Sequence, residues 1–278
     1  KTIDRTRKLF IGGLQKRSDS GYDKHIYSSN KLIGQVPLGN RKDIRDAVES
    51  ASNESKWRRM SAHARAQVLY YAAENLDLRK DEFAQTIQLM TGENGKDEVD
   101  QALENIFYFA SWADKFEGTI HNVPIRGVSL AMKEPLGVIA IVCPDNNPLL
   151  SFIHLVFSAL CMGNTVVVVP SEKHPLCAID MYQIFETSDF PPGAINIVTG
   201  NRDELSETLS KHMQVDGIWY FGSKEGSKKI EENSNSNLKQ TWVNNGLSYS
   251  WVDLPKEIKM KSLQRSIQIK NIWIPYGE

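Results

Sequence analysis

The chain has 278 residues, of which 41% are hydrophobic and 24% charged, and its formal net charge is -1 at pH 7. That is enough apolar material for the core of one large or two modest domains. The even mixture of Lys and Arg with Asp and Glu leaves no electrostatic footprint for nucleic acid or an anionic membrane surface, and no apolar run reaches membrane length. The histidines, His25, His63, His121, His154, His174 and His212, never fall at metal-ligand spacing with Cys or carboxylates, so no structural metal is expected. Cys143, Cys161 and Cys177 are few, odd in number and set largely among apolar residues, which suits reduced thiols and a cytoplasmic setting better than a disulfide framework. The opening "KTIDRTRKLFIGG" has no initiator Met and no signal-peptide pattern, and reads as a piece of a longer polypeptide.

In chain order, "KLFIGGLQKRSDSGYDKHIYSSNKLIGQVPLGN" has short apolar bursts broken by Gly, Ser and Asp, which predicts extended segments and turns. From residue 41 to residue 117 the spacing becomes helical, with Asn40 as an N-cap and breaks at Gly92 and Gly118. Trp57 precedes the helix "SAHARAQVLYYAA" and is read as packing its entrance, not as a binding patch with Arg58 and Arg59. "GTIHNVPIRGVSLAMKEPLG" alternates loosely around Pro124 and Gly127 and predicts a two-stranded excursion. "GVIAIVCP", "NTVVVVP", "AINIVTG" and "DGIWYFGS" are nearly continuous Val- and Ile-rich runs, separated by helix-length stretches. Strands buried on both faces by crossover helices look like this. A doubly wound, Rossmann-like α/β domain with a parallel sheet follows. "KKIEENSNSNLKQ" is read as a solvated helix end and loop, and "QRSIQIKNIWIPYGE" as a terminal strand. That strand is given one polar face and an exposed apolar row of Ile267, Ile269, Ile272 and Ile274, and its expected neighbour is the excursion or another subunit.

"SDSGYDKHIYSSNKLIGQVPLGN", "KEPLGVIAIVCPDNNPLL", "ALCMGNTVVVVPSEKHP", "FPPGAINIVTG" and "VDGIWYFGSKEGS" occur in the order and at about the spacing of the cofactor-binding half of the aldehyde dehydrogenase superfamily, which the chain resembles over residues 8–253. "HNVPIRGVSLAMKEPLG", "CPDNNPLL" and "TWVNNG" look most like the C-terminal, non-catalytic module of aldehyde dehydrogenase family 16. The resemblance implies a Rossmann-like body over residues 1–117 and 136–255 and an oligomerisation flap over residues 118–135 and 263–278. In the family, a separate domain bearing the Cys nucleophile follows the cofactor-binding half. Here "SWVDLPKEIKMKSLQRSIQIKNIWIPYGE" passes from the last sheet strand to the terminal strand in a short hop, so that catalytic domain is expected to be absent.

Position by position, the resemblance makes Asn146 a vestige of the family's oxyanion donor, with Asp145 where the family has Trp, and it places Trp242 at the general base position. An indole cannot accept that proton. Cys143, at a strand end near the substrate position, is read as a structural thiol, as are Cys161 and Cys177. For the cofactor, the resemblance implies vestigial contacts at Glu172, Gly200, Gly222 and Ser223, with Val169 in place of a ribose-binding Lys and Ser227 in place of a Gly. Losing one charge-assisted hydrogen bond costs about 1.5 to 3 kcal/mol, and weak NAD binding or none is expected.

The leading reading is therefore a pseudoenzyme module that works by oligomerisation or protein interaction. Its expected partner is an aldehyde dehydrogenase domain of the same or a neighbouring chain, or a second copy in a homodimer. Two others stay open: a regulatory or catalytic partner module of an NAD-dependent aldehyde dehydrogenase, and a weak nucleotide-sensing domain.

Overall fold

A computed structural model describes residues 7–124 and 126–276. The outermost residues of the expected body and flap, 1–6 and 277–278, lie outside the described residues.

The first segment forms two antiparallel pairs, β1 (Leu9–Ile11) with β2 (Leu14–Lys16) and β3 (Asp23–Ser28) with β4 (Lys31–Pro37). Ser29 and Asn30 join the second pair with φ of 47° and 65°, the two left-handed positions of a tight hairpin turn. Helices α1 (Arg41–Asn53), α2 (Lys56–Arg59), α3 (Ala62–Asp77), α4 (Lys80–Thr91) and α5 (Gly95–Trp112) follow. Asn40 caps α1 in a reciprocal box with Asp43. At the end of α4, Gly92 takes the left-handed conformation with φ 77°. Helix α5 stops at Trp112 and not at Gly118 as the periodicity predicts; Lys115 Nζ donates to the Ser111 carbonyl at 2.8 Å and satisfies a helix-end acceptor.

The remaining elements are β5 (Thr119–His121), β6 (Gly127–Pro135), β7 (Val138–Val142), α6 (Pro148–Cys161), β8 (Thr165–Val169), α7 (Leu176–Asp180), α8 (Tyr182–Glu186), β9 (Ile195–Ile197), α9 (Arg202–Lys211), β10 (Gly217–Tyr220), α10 (Lys224–Asn233), β11 (Gln240–Val243), α11 (Lys256–Arg265) and β12 (Ile267–Pro275). Strands β11, β10, β7, β8 and β9 form a parallel sheet in that spatial order, extended beyond β9 by the antiparallel β1 and β2. The chain builds outward from β7 to β9, then returns to the other side of β7 for β10 and β11. The order thus reverses between β7 and β10, and at such a reversal the loops after the strands part into a crevice.

Each strand sends alternate side chains to opposite faces, and two cores result. Ile139 and Ile141 of β7, Val166 and Val168 of β8, and Trp219 of β10 belong to one core, under α3, α4, α5 and α6. Val138, Ala140, Val142, Val167, Val169, Ile218 and Tyr220 belong to the other, under α1, α9 and α10. Helix α6 is buried on every side, consistent with its all-round apolar sequence. Its N-cap Asn147 makes no side-chain cap; instead the buried Glu98 carboxylate accepts from Leu149 N and Leu150 N at 2.8 and 3.0 Å. An anion at a helix start is favoured by the helix dipole as well as by these bonds. Trp57 is fully buried and donates from Nε1 to the Leu160 carbonyl at 3.1 Å, pinning α2 to the end of α6.

A second sheet stands apart, in the order β12, β6, β5. β12 pairs antiparallel with β6 from Ile267↔Pro135 to Pro275↔Gly127 without interruption. Residues 263–265, expected in the flap, close α11 and are not part of β12. The unbroken pleat also corrects the apolar row: Ile267, Ile269 and Trp273 share one face, whereas Ile272 and Ile274 share the other with Gln268 and Lys270. The switch at Asn271 puts apolar side chains on both faces. Ile269, Trp273 and Ile274 are 52%, 64% and 51% exposed, while Ile267 is buried. Among the described residues, no helix is long and apolar enough to cross a membrane.

Candidate functional site: a divided crevice at the switch point

The loops leaving β7, β8, β9, β10 and β11 at their carboxyl ends gather the residues that could carry chemistry. Asp145, in the turn after β7, is the hub. It accepts both terminal nitrogens of Arg202, Nη2 to Oδ1 at 2.6 Å and Nη1 to Oδ2 at 3.1 Å. Its Oδ1 also accepts from Ser171 Oγ at 2.8 Å and from the backbone N–H groups of Glu172 and Lys173 at 3.1 and 3.3 Å. Burial works against ionisation here, but the hydrogen bonds and charge of Arg202 outweigh it and hold the Asp145 carboxyl below the usual range. Arg202 is the first residue of α9, and its side chain is only 14% exposed. Since β8 lies between β7 and β9, the pair bridges over the end of β8.

Glu172 keeps its carboxylate at the position that the resemblance assigns to the adenosine ribose, but both oxygens are engaged within the chain. Oε1 accepts from Lys24 Nζ at 2.9 Å, and Oε2 from the Arg202 backbone N–H at 3.0 Å. Burial raises its pKa, and the bonds from Lys24 and Arg202 more than reverse this, leaving it lowered. Val169, the end of β8, is 1% exposed, and its carbonyl accepts from Cys143 N.

The glycines serve packing. A Cβ at Gly200 would lie 2.8 Å from the Gly39 carbonyl and 2.9 Å from Leu205 Cδ1, so this position lets the two segments meet. Gly222 N donates to Asn244 Oδ1 at 3.1 Å. Ser223 is the N-cap of α10 and accepts from Gly226 N at 2.9 Å; Ser227 is fully buried, donating to the Ser223 carbonyl and accepting from Asn245 N. Asn146 is exposed and donates from Nδ2 to the Tyr249 carbonyl at 2.9 Å.

Trp242, at the general base position of the resemblance, is 6% exposed and packs edge-on against Trp219 and Phe221, at centroid distances of 5.2 and 5.1 Å. Cys143, Cys161 and Cys177 are free and buried, and burial pushes each thiol well up. A thiol so placed is a poor nucleophile.

Two cavities flank Asp145 and Arg202. The larger, about 680 Å³, runs past Lys24, Tyr27, Glu172 and His174; the smaller, about 290 Å³, past Asn146, Gly222, Asn244 and Tyr249. Asp145, Arg202 and Ser223 line both. A dinucleotide laid across a switch point must run continuously between strand ends. The residues present do not fit one: the Asp145–Arg202 ion pair is shared by the linings of both cavities, and the carboxylate for the ribose is already bonded. Sequence reading missed Arg202 and Lys24. The available signal was charge: an acidic residue after one strand, and a basic one after a strand two places away in the sheet.

The Aldehyde dehydrogenase family model matches residues 15–250. Retinaldehyde dehydrogenase 3 of Mus musculus is 34% identical over 253 residues, 86% of this chain and 49% of the relative, and retinal dehydrogenase 2 of Homo sapiens is 32% identical over 255 residues, 86% and 48%. Among solved structures, betaine aldehyde dehydrogenase from Staphylococcus aureus, in complex with NAD+, superposes with a TM-score of 0.82 at 28% identity, covering 86% of this chain and 49% of that one. The NAD-dependent aldehyde dehydrogenase from Sinorhizobium meliloti gives 0.83 at 26%, covering 87% and 50%. The chain spans about half the length of the relatives it matches. With its family model, its relatives and its Rossmann-like parallel sheet in agreement, the chain belongs to the aldehyde dehydrogenase family.

Proposed function

We propose that this chain is a non-catalytic aldehyde dehydrogenase module, of the kind found at the C-terminus of family 16 polypeptides, and that it works by association through the sheet of β5, β6 and β12. The observation that carries the reading is Trp242: the position from which a general base would act holds an indole locked between Trp219 and Phe221. Two further features support it. The chain passes from β11 to β12 through residues 244–266, which hold one helix, α11, where the family resemblance puts a nucleophile-bearing domain. Cys143 is fully buried with a raised pKa. Association has its own support in the exposed Ile269, Trp273 and Ile274 on a nine-residue strand that pairs with β6. The partner is a dehydrogenase domain of the same or a neighbouring chain, or a second copy.

The test has two arms. Aldehyde oxidation with NAD or NADP is measured on the purified chain, and turnover above buffer that Cys143→Ala abolishes overturns the non-catalytic reading. Removal of residues 264–278 is expected to lower the mass seen by light scattering, or to end co-elution with a dehydrogenase domain, while far-ultraviolet circular dichroism keeps its α/β signature. An unchanged mass with unchanged partners refutes association through this sheet.

A further inference from the structure

We infer that the Asp145–Arg202 pair is the determinant that closes this crevice to dinucleotides, and that the crevice left behind admits at most a mononucleotide-sized ligand in either half. The inference does not depend on the association reading, since it concerns the other end of the body. Three observations carry it. The guanidinium meets the carboxylate through both terminal nitrogens, a fixed planar arrangement. Asp145 Oδ1, the oxygen that takes Arg202 Nη2, also accepts from Ser171 Oγ and from two backbone N–H groups, so the anchor cannot swing aside without breaking all three bonds. Asp145 and Arg202, together with Ser223, line both cavities, so the pair sits where the two meet.

The other departures are weaker obstacles. Glu172 could exchange Lys24 for a ribose hydroxyl, because Lys24 is more than a third exposed. Ser223, the N-cap of α10, also lines both halves. Removing the Arg202 side chain opens the place where the two cavities meet, while Asp145 keeps its bonds to Ser171, Glu172 and Lys173 and the Arg202 backbone N–H keeps its bond to Glu172.

NAD and adenosine monophosphate are titrated by calorimetry into the full chain, into Arg202→Ala, and into the Asp145→Ala/Arg202→Ala double variant. NAD spans both halves; the monophosphate needs only one. The double variant is expected to bind NAD at least about tenfold more tightly than the parent chain, a change of about 1.4 kcal/mol, with monophosphate affinity unchanged within error. Arg202→Ala, which keeps Asp145 bonded to Ser171, Glu172 and Lys173, shifts NAD in the same direction and stands in if the double variant fails to fold. Equal NAD affinity in parent and variants overturns the proposal. So does an equal gain for the monophosphate, which marks general loosening, and so does a crystal soaked in NAD that shows the dinucleotide bound with the Asp145–Arg202 bonds intact.

Discussion

His154 is fully buried on α6, with Phe109 at 5.2 Å and Trp251 at 5.4 Å between ring centroids. Its Nε2 lies 2.8 Å from Ser262 Oγ. Because that hydroxyl donates to the Ile258 carbonyl, it accepts from Nε2–H, which leaves Nδ1 the unprotonated nitrogen. Nδ1 is buried and has no hydrogen-bond partner, so a proton added there would carry its charge unsolvated. Burial, with a smaller push from Lys259, lowers the imidazole pKa to about 3. An unfolded chain protonates the same group near pH 6.5. Between those two values the unfolded state binds a proton that the native state refuses, so native stability falls as pH falls, by about 1.4 kcal/mol per unit. From about pH 6.5 to about pH 4.5 the loss assigned to this one group is on the order of 2.3 kcal/mol, since the unfolded imidazole is already half protonated at the upper end. Urea unfolding of the parent chain and of His154→Phe, at intervals across that range, measures it. The phenyl ring keeps the aromatic packing and leaves the Ser262 hydroxyl bonded to Ile258. The stability of the parent chain relative to His154→Phe is expected to fall by about that amount as pH falls. Parallel curves refute the argument, because they mean that His154 takes its proton in the native state.

Other substitutions test other joints of the fold. Native chain should not react with an exposed-thiol reagent, whereas unfolded chain should titrate at all three cysteines; rapid reaction at Cys143 without unfolding contradicts its burial. Glu98→Ala strands the N–H groups of Leu149 and Leu150 in the core, and its cost is on the order of 3 kcal/mol by denaturant melts. A Cβ at Gly226 would fall 1.9 Å from the hydroxyl oxygen of Tyr220, which is itself buried, so Gly226→Ala should lower stability by about 1–3 kcal/mol. Pairing it with Tyr220→Phe should restore part of that loss, and strict additivity in the double-mutant cycle argues against the contact.

What could be read in advance followed from local chemistry. "TVVVV" and "VIAIV" announce strands because every residue is β-branched or small and all but Thr165 are apolar, the composition of a strand covered on both sides, and β8 and β7 are buried throughout. Asn40 before "RKD" and Gly92 after α4 are end signals set by the backbone's own unsatisfied groups, and both act as such. The site was less legible, because its decisive contacts join residues far apart in the chain. Asp145 and Arg202 are separated by 57 positions, and Lys24 and Glu172 by 148. Only the order of β7, β8 and β9 brings the first pair within reach. The isoleucines of β12 misled for another reason: a run of apolar residues does not reveal its faces until the register with β6 is known, and that register divides the apolar side chains, with Asn271 standing between Ile269 and Trp273 on one face and Ile272 and Ile274 on the other.

The pleat of the main sheet has a consequence for how damage spreads. Ile139 and Ala140 are neighbours in the chain, yet one feeds the core beneath α5 and α6 and the other the core beneath α1 and α9. A void opened at Ile139 is bordered by helices that Ala140 does not contact, so the two faces should repack independently. Pairs of core substitutions on the same face should therefore show mutual dependence, and pairs on opposite faces should add, even where the residues are adjacent in sequence. In that sense β7 insulates: it joins the halves covalently while its ladder of backbone bonds, shared with β8 and β10, transmits little of what side chains do on either side.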